Sequence, residues 1–353
     1  MEKLSKLRQA LVEHQIDALL ITSGYNRRYI TGFTGTAGVA IISQEQAVFI
    51  TDFRYTEQAE TEIKGFDIVQ HTKTLIEEVS VQLAKIGAKK VGFEKDDMTY
   101  AMFESYQKAV NSELVPVSGL IEKIRLIKTP QEIKIIKAAA DIADAAFEHI
   151  ITFIAAGKTE LEVSNELEFF MRKQGASSSS FDIIVASGLR SALPHGVATD
   201  KIIEKGDFVT LDFGALYNGY VSDVTRTVAI GEPSDHLKEI YQIVLDSQML
   251  ALEKIKPGMT GIEADAVARD YIKSKGYGEA FGHSLGHGIG LEVHEGPGLS
   301  FRSDVVLEEG MVITIEPGIY LPGVGGVRIE DDSVMTATGN NKLTHSTKEL
   351  LIL

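Results

Sequence analysis

The sequence predicts an α/β domain over residues 1–125 followed by an α+β domain over 126–353, the second built from an internal repeat about an approximate twofold axis. Three observations predict this. Short apolar runs alternate with amphipathic segments up to about residue 120, the pattern of an α/β layer. Thr129-Pro130-Gln131-Glu132 then reads as the start of a new helical region, with Thr as N-cap, Pro at the first helical position and Glu three residues after the cap. Beyond it the chain repeats itself. Gly157-Lys-Thr-Glu-Leu-Glu162 returns as Gly258-Met-Thr-Gly-Ile-Glu263, and Gly206-Asp-Phe-Val-Thr-Leu-Asp-Phe-Gly214 returns as Gly310-Met-Val-Ile-Thr-Ile-Glu-Pro-Gly318.

In the first domain, Leu4, Leu7 and Leu11 give residues 2–15 a helical stripe, and 17–22 is a buried strand. Residues 39–43 and 47–51 form a hairpin. A helix near 74–86, a strand at 90–94, a helix near 98–110 and a strand at 114–117 follow. Tyr29–Gly38, rich in Gly and Thr, reads as a surface turn, with lining a site as the second reading.

In the second domain the helix after Thr129 runs without glycine to about Ile154. Thr159-x-x-Glu162 and Thr260-x-x-Glu263 are capping boxes of two further helices, which run to Gly175 and Gly276. The two copies are offset by 101 residues at these helices and by 104 at the strands, a drift that one loop insertion explains. So long a period is a duplicated half-domain rather than a solenoid repeat.

Composition narrows the function. The 353 residues carry 50 acidic against 35 basic side chains, a formal charge of −15. This argues against nucleic-acid binding, which needs clustered Lys and Arg. No apolar run approaches the ~18 residues of a membrane span, and the amphipathic N-terminus lacks the apolar centre of a signal peptide. With no cysteine, disulfides and thiolate ligands are excluded. A cytoplasmic protein with neither membrane nor nucleic-acid partner fits these facts.

The repeated strands carry the chemistry. Asp212 and Asp223 lie on one hairpin. A turn centred between Tyr217 and Asn218 sets them opposite, whereas a two-residue turn at Asn218-Gly219 sets Asp212 opposite Thr225, with Asp223 as diagonal neighbour. Either way both acids share one sheet face, because strand side chains alternate. Glu316 and Glu330 can likewise face each other across Pro322–Gly326. Like charges so placed are destabilising, and two such pairs in duplicated positions call for cations. Gly282–Glu295 adds three of the nine histidines among glycines that oppose a helix. Four carboxylates and an imidazole suit hard or borderline ions. Manganese fits best, with cobalt, zinc and iron also admissible. The four negative charges balance two divalent ions, and such a pair, about 3.5–4 Å apart, activates a shared water for hydrolysis.

Leu211-Asp-Phe-Gly214 with Ser222-Asp-Val-Thr-Arg226, His283-Ser-Leu-Gly-His-Gly-Ile-Gly290, Ile315-Glu-Pro-Gly-Ile-Tyr320 and Val327-Arg-Ile-Glu-Asp331 resemble the motifs of the pita-bread metallopeptidases, which include methionine aminopeptidase, aminopeptidase P and prolidase. The resemblance spans nearly the whole chain, because the Xaa-Pro-cleaving branch also carries a creatinase-like N-terminal α/β domain. It implies Asp212, Asp223, His287, Glu316 and Glu330 as ligands of two metal ions. It further implies that His195, in Leu193-Pro-His-Gly196, sits at the scissile nitrogen, that His294 polarises the scissile carbonyl and that His283 lines the pocket. Glu316 is the implied proton shuttle. Arg328 orients a ligand carboxylate, and Tyr320 does similar work.

The implied substrate is a peptide with proline second, and a homodimer is implied as well. Gly32–Gly38 and Thr51-Asp-Phe-Arg-Tyr55 resemble aminopeptidase P, which places Xaa-Pro aminopeptidase first and Xaa-Pro dipeptidase second. A metal-free relative, creatinase-like or a binding protein, is the remote third reading, since such members lose the acids that are all present here.

Overall fold

The computed structural model describes residues 2–353, which divide into two compact units meeting at Arg125 and Leu126. The first unit contains α1 (Glu2–Glu13), β1 (Ala18–Ile21), α2 (Gly24–Thr31), β2 (Val39–Ser43), β3 (Ala47–Thr51), α3 (Thr56–Glu62), β4 (Asp67–Gln70), α4 (Leu75–Ile86), β5 (Lys90–Glu94), α5 (Tyr100–Ala109), β6 (Glu113–Val117) and α6 (Leu120–Leu126). Its six strands form one mixed sheet in the order β4-β3-β2-β1-β5-β6. The hairpin of β2 and β3 pairs antiparallel with β1, and β4, β5 and β6 join in parallel. Every residue of β1, β2 and β3 is buried, as expected of central strands covered on both faces. A capping box at Thr74 and a left-handed Gly87 bound α4.

Tyr29–Gly38 is a surface turn only from Gly32 onward, where Gly32, Thr34 and Thr36 are exposed. Tyr29, Ile30 and Thr31 complete α2, and all three are buried together with Phe33. The Arg27 guanidinium, itself buried, holds the rest by donating to the carbonyls of Gly35 (3.1 Å) and Gly38 (2.8 Å). The sequence reading also passed over α2, α3 and β4. These are short elements, and α2 and α3 are polar throughout much of their length, so they show little apolar periodicity.

The second unit contains α7 (Pro130–Ile150), α8 (Glu160–Lys173), β7 (Ser178–Ser179), β8 (Ile184–Ser187), β9 (Phe208–Phe213), β10 (Ala215–Tyr217), β11 (Tyr220–Val221), β12 (Val224–Ala229), α9 (Asp235–Lys254), α10 (Gly261–Ser274), β13 (Gly286–Gly288), β14 (Glu295–Leu299), β15 (Val312–Ile315), β16 (Gly318–Leu321), β17 (Gly325–Arg328), β18 (Asp331–Met335) and β19 (Asn340–Lys342). α7 stops four residues short of the expected end. The capping boxes at Thr129, Thr159 and Thr260 are all formed.

The repeat is structural. Thr159 bridges Ile202 in the first copy and Thr260 bridges Val306 in the second, reproducing the two offsets. The amides of Gly157 and Gly258 donate to the equivalent carbonyls of Ile203 and Leu307, each at 2.9 Å. Both glycines have positive φ, 96° and 92°, a conformation that asks for glycine.

Alternation along the strands then sorts the side chains. In β9, Val209, Leu211 and Phe213 pack with α7 and α8, leaving Thr210 and Asp212 on the opposite face. In β15, Ile313 and Ile315 pack with α9 and α10, leaving Thr314 and, just beyond, Glu316 on the opposite face. Each helix pair covers one sheet, and the acids emerge on the uncovered sides.

Candidate metal centre

The first hairpin takes the two-residue turn. Tyr217 pairs Tyr220, with Asn218 (φ 48°) and Gly219 (φ 84°) between them, the backbone of a type I′ turn. The register continues unbroken to Asp212 opposite Thr225, which makes Asp223 the diagonal neighbour of Asp212 on the same face. In the second hairpin Ile315 pairs Asp331 and Gly318 pairs Arg328. One register therefore runs through both ladders and sets Glu316 opposite Glu330.

Nine of the ten sequence-predicted residues, namely His195, Asp212, Asp223, His283, His287, His294, Glu316, Arg328 and Glu330, line one cavity of about 440 Å³, and Tyr320 stands outside its wall. Ligand atoms of Asp223, His287 and Glu330 lie within 4.8 Å of one another. His287 Nε2 stands 3.3 Å from Glu316 Oε1 and 3.8 Å from Asp223 Oδ2. Arg328 donates to Asp212 Oδ2, to the Tyr320 hydroxyl (2.7 Å), to the Pro194 carbonyl (3.1 Å) and to Thr225 Oγ1 (3.1 Å). Tyr320 in turn meets His283 Nε2 at 2.8 Å.

The electrostatics of the bare protein expose what this arrangement lacks. Burial pushes the carboxyls of Asp223 and Glu330 well above the usual range, aided by the charge of Glu330 and Asp212 on Asp223 and by that of Glu316 and Asp212 on Glu330. Burial also raises Asp212, against the pull of Arg328. Glu316 is buried as well, yet the His287 hydrogen bond and charge hold it down at about 2. Burial lowers His283 and His294 and so favours their neutral forms. Asp212 Oδ1 and Asp223 Oδ1 are buried with no hydrogen-bond partner. An acidic oxygen left so costs several kcal/mol. Two of them, converging with an imidazole and two glutamates, offer the kind of donor set that a divalent cation takes.

Sequence reasoning missed several contributors. Thr225 donates to Glu330 Oε2 at 2.6 Å, and the buried Asp332 accepts the Asp223 amide at 2.9 Å. Both stand two residues beyond a predicted acid, so period-two alternation was the signal that could have found them. The apolar wall of Phe181, Ile184, Pro194, Val197 and Val293 and the carboxylate of Asp182 also line the cavity. They come from loops and strand ends without a periodic signature. Among the described residues no helix is long and apolar enough to cross a membrane.

Known proteins share this two-unit architecture. Residues 134–337 match metallopeptidase family M24, and residues 3–127 match the creatinase/prolidase N-terminal domain. The fold superimposes on the solved Xaa-Pro dipeptidase from Bacillus anthracis with a TM-score of 0.99 at 64% identity, covering 100% of this chain and 99% of that one. The prolidase from Pyrococcus horikoshii gives 0.95 at 45% identity over 99% and 100% of the two chains. The X-Pro aminopeptidase from Thermotoga maritima gives 0.91 at 43% identity over 96% and 98%. With a family match over each unit and solved structures that cover the chain, this chain belongs to metallopeptidase family M24, in the pita-bread fold with a creatinase/prolidase N-terminal domain.

Proposed function

We propose that the enzyme hydrolyses the peptide bond preceding proline, with Xaa-Pro dipeptides as its substrates. The convergence of four acids and His287 beside His195, His283 and His294 in one cavity carries the hydrolytic reading. The Xaa-Pro dipeptidases among the similar proteins support the dipeptide over the sequence preference for an aminopeptidase. Xaa-Pro aminopeptidase stays as the second reading, on the likeness to the Thermotoga maritima enzyme.

Asp212, Asp223, His287, Glu316 and Glu330 would hold two divalent ions, manganese being best suited to so oxygen-rich a set. When bound, such a pair supplies an activated water and electrophilic stabilisation of developing negative charge. The residues do the rest. Glu316 takes the proton of the attacking water. Neutral His294 donates one N–H to the scissile carbonyl, a contact worth up to a few kcal/mol in the transition state. The departing nitrogen, which in proline has no N–H of its own, takes up the proton that Glu316 removed from the water, and His195 stands beside it to help the amine leave. His283 borders the substrate, held by Tyr320. Arg328 neutralises Asp212 through Oδ2 and leaves Oδ1 free for a ligand. The apolar wall of Phe181, Ile184 and Val293 receives the pyrrolidine ring. We place the enzyme in the cytoplasm, since a cysteine-free chain has no need of an oxidising compartment, and take it as a homodimer on the family resemblance alone.

The test compares turnover of Xaa-Pro with that of Xaa-Pro-Yaa-Zaa by the metal-loaded enzyme. Preference for the dipeptide is expected. Equal or faster cleavage of the tetrapeptide would establish the aminopeptidase, and no cleavage of either would remove the proline reading.

A further inference from the structure

Glu160, the first residue of α8, is completely buried and is not part of the cavity wall. Its carboxylate is satisfied entirely by one segment of chain. Oε1 accepts from the Ser187 amide (2.8 Å) and hydroxyl (2.9 Å), Oε2 from the Thr199 amide (3.1 Å) and hydroxyl (2.8 Å), and Arg190 Nε approaches at 3.3 Å. Ser187 and Thr199 are the two ends of the stretch that carries His195 into the cavity. The carboxylate thus closes a loop from both sides. Arg190, drawn in by the acid, reaches across the loop to the Val197 carbonyl at 2.7 Å.

The repeat tells whether the fold itself needs an acid there. The backbone frame is the same in both copies. Glu160 and Leu161 donate to the carbonyls of Lys201 and Thr199, and Gly261 and Ile262 donate to those of Val305 and Ser303, all at 2.9–3.0 Å. In the second copy the position of Glu160 is Gly261, where a Cβ would stand 2.2 Å from the Gly298 carbonyl oxygen. There the returning chain packs directly on the helix and no side chain intervenes. The same frame closes with glycine, so the buried acid serves something specific to the first copy. What that copy has is His195, which is exposed on its loop and has no hydrogen bond of its own to fix the ring among the described residues.

We infer that Glu160 is a positioning residue for the reaction: by clamping Ser187 to Thr199 it sets the height and direction at which His195 enters the cavity. The inference rests on the proposed role of His195. Arg328 adds a second brace through the Pro194 carbonyl, adjacent to the histidine. Two fixed points behind the loop and one beside the ring make a preorganised delivery, and misplacement by an ångström is costly in such chemistry.

The experiment is a double-mutant cycle on the metal-loaded enzyme with an Xaa-Pro dipeptide. Glu160→Gln, which places an amide N–H₂ against donors, is expected to lower kcat by about tenfold, the scale of groups that orient active residues. KM and bound metal should stay unchanged. In the His195→Ala background the same substitution should cost nothing more. An unchanged kcat in Glu160→Gln beside an impaired His195→Ala overturns the clamp alone, as do multiplying losses or lost metal. Full turnover in His195→Ala refutes the role given to that histidine, and this inference with it. If Glu160→Gln does not fold, Thr199→Val, which deletes one hydroxyl donor, replaces it in the cycle. A several-fold loss that vanishes without His195 is then expected, and a loss that persists overturns the inference.

Discussion

The Thr225 hydroxyl of the first copy donates to the Glu330 carboxylate of the second at 2.6 Å, and the Glu330 amide returns to the Thr225 carbonyl at 3.1 Å. The first half thereby fixes an acid of the second, from both its side chain and its backbone. Thr225 also accepts from Arg328 Nε. Thr225→Val keeps the shape and deletes both side-chain interactions. Metal affinity should fall by about 10–100-fold while the protein stays folded, as metal titration by calorimetry and circular dichroism would register.

Asp223→Ala and Glu316→Ala should each lower turnover by about a hundredfold or more, beyond the range of groups that merely orient ligands. Asp223 is one of two buried carboxylates whose repulsion the fold tolerates, so its loss relieves strain as well as function. The thermal midpoint of the metal-free Asp223→Ala protein should therefore equal or exceed that of the metal-free parent. Near-normal turnover in either variant would contradict the ligand set.

Stripping the metal should make stability depend on pH with a definite sign. Asp212, Asp223 and Glu330 have folded-state values raised by burial above the ordinary 3.8 and 4.5. Between the ordinary and the raised values the folded chain holds more protons than the unfolded one, so stability falls as pH rises through that window. Asp331 runs the other way. It is buried, but Arg226 and Lys348 hold it at about 2, so its contribution is present above 3.8 and disappears as pH falls towards 2. Calorimetry of chelated protein above pH 4 should show a midpoint that declines with pH, and metal reloading should release protons and flatten the decline.

The duplicated caps offer a test of the repeat. Thr159 and Thr260 accept from the amides of Glu162 (3.1 Å) and Glu263 (3.2 Å). Thr159→Ala and Thr260→Ala should each cost about 1 kcal/mol, measurable by denaturant unfolding, with no change in metal content.

Much of the site was legible because its signals are local and periodic. Capping boxes at Thr129, Thr159 and Thr260 depend on residues three apart, and the strand acids on alternation and a turn with one strong sequence preference at Asn218-Gly219. The hairpin alternatives for Asp212 and Asp223 were both open until the turn was seen, because a one-position change in its centre leaves the face unaltered. Glu160 was invisible for a different reason. Its partners Ser187 and Thr199 lie 27 and 39 residues away, and nothing in a sequence marks an acid at a helix start as buried. Tyr29–Gly38 was legible only in part: its glycines mark the exposed turn at Gly32, Thr34 and Thr36, which Arg27 ties down through Gly35 and Gly38, whereas nothing in the composition marks Tyr29–Thr31 as the buried end of α2.

A chain without cysteine has no covalent tie between distant segments. Asp223 belongs to one copy of the repeat, and His287 and Glu330 to the other. An ion gripped by all three would be a removable rivet across the seam, adding for this protein what a disulfide adds for a secreted one, and a chelator would loosen the join there while the hydrogen bonds of Thr225 and Arg226 keep the copies together.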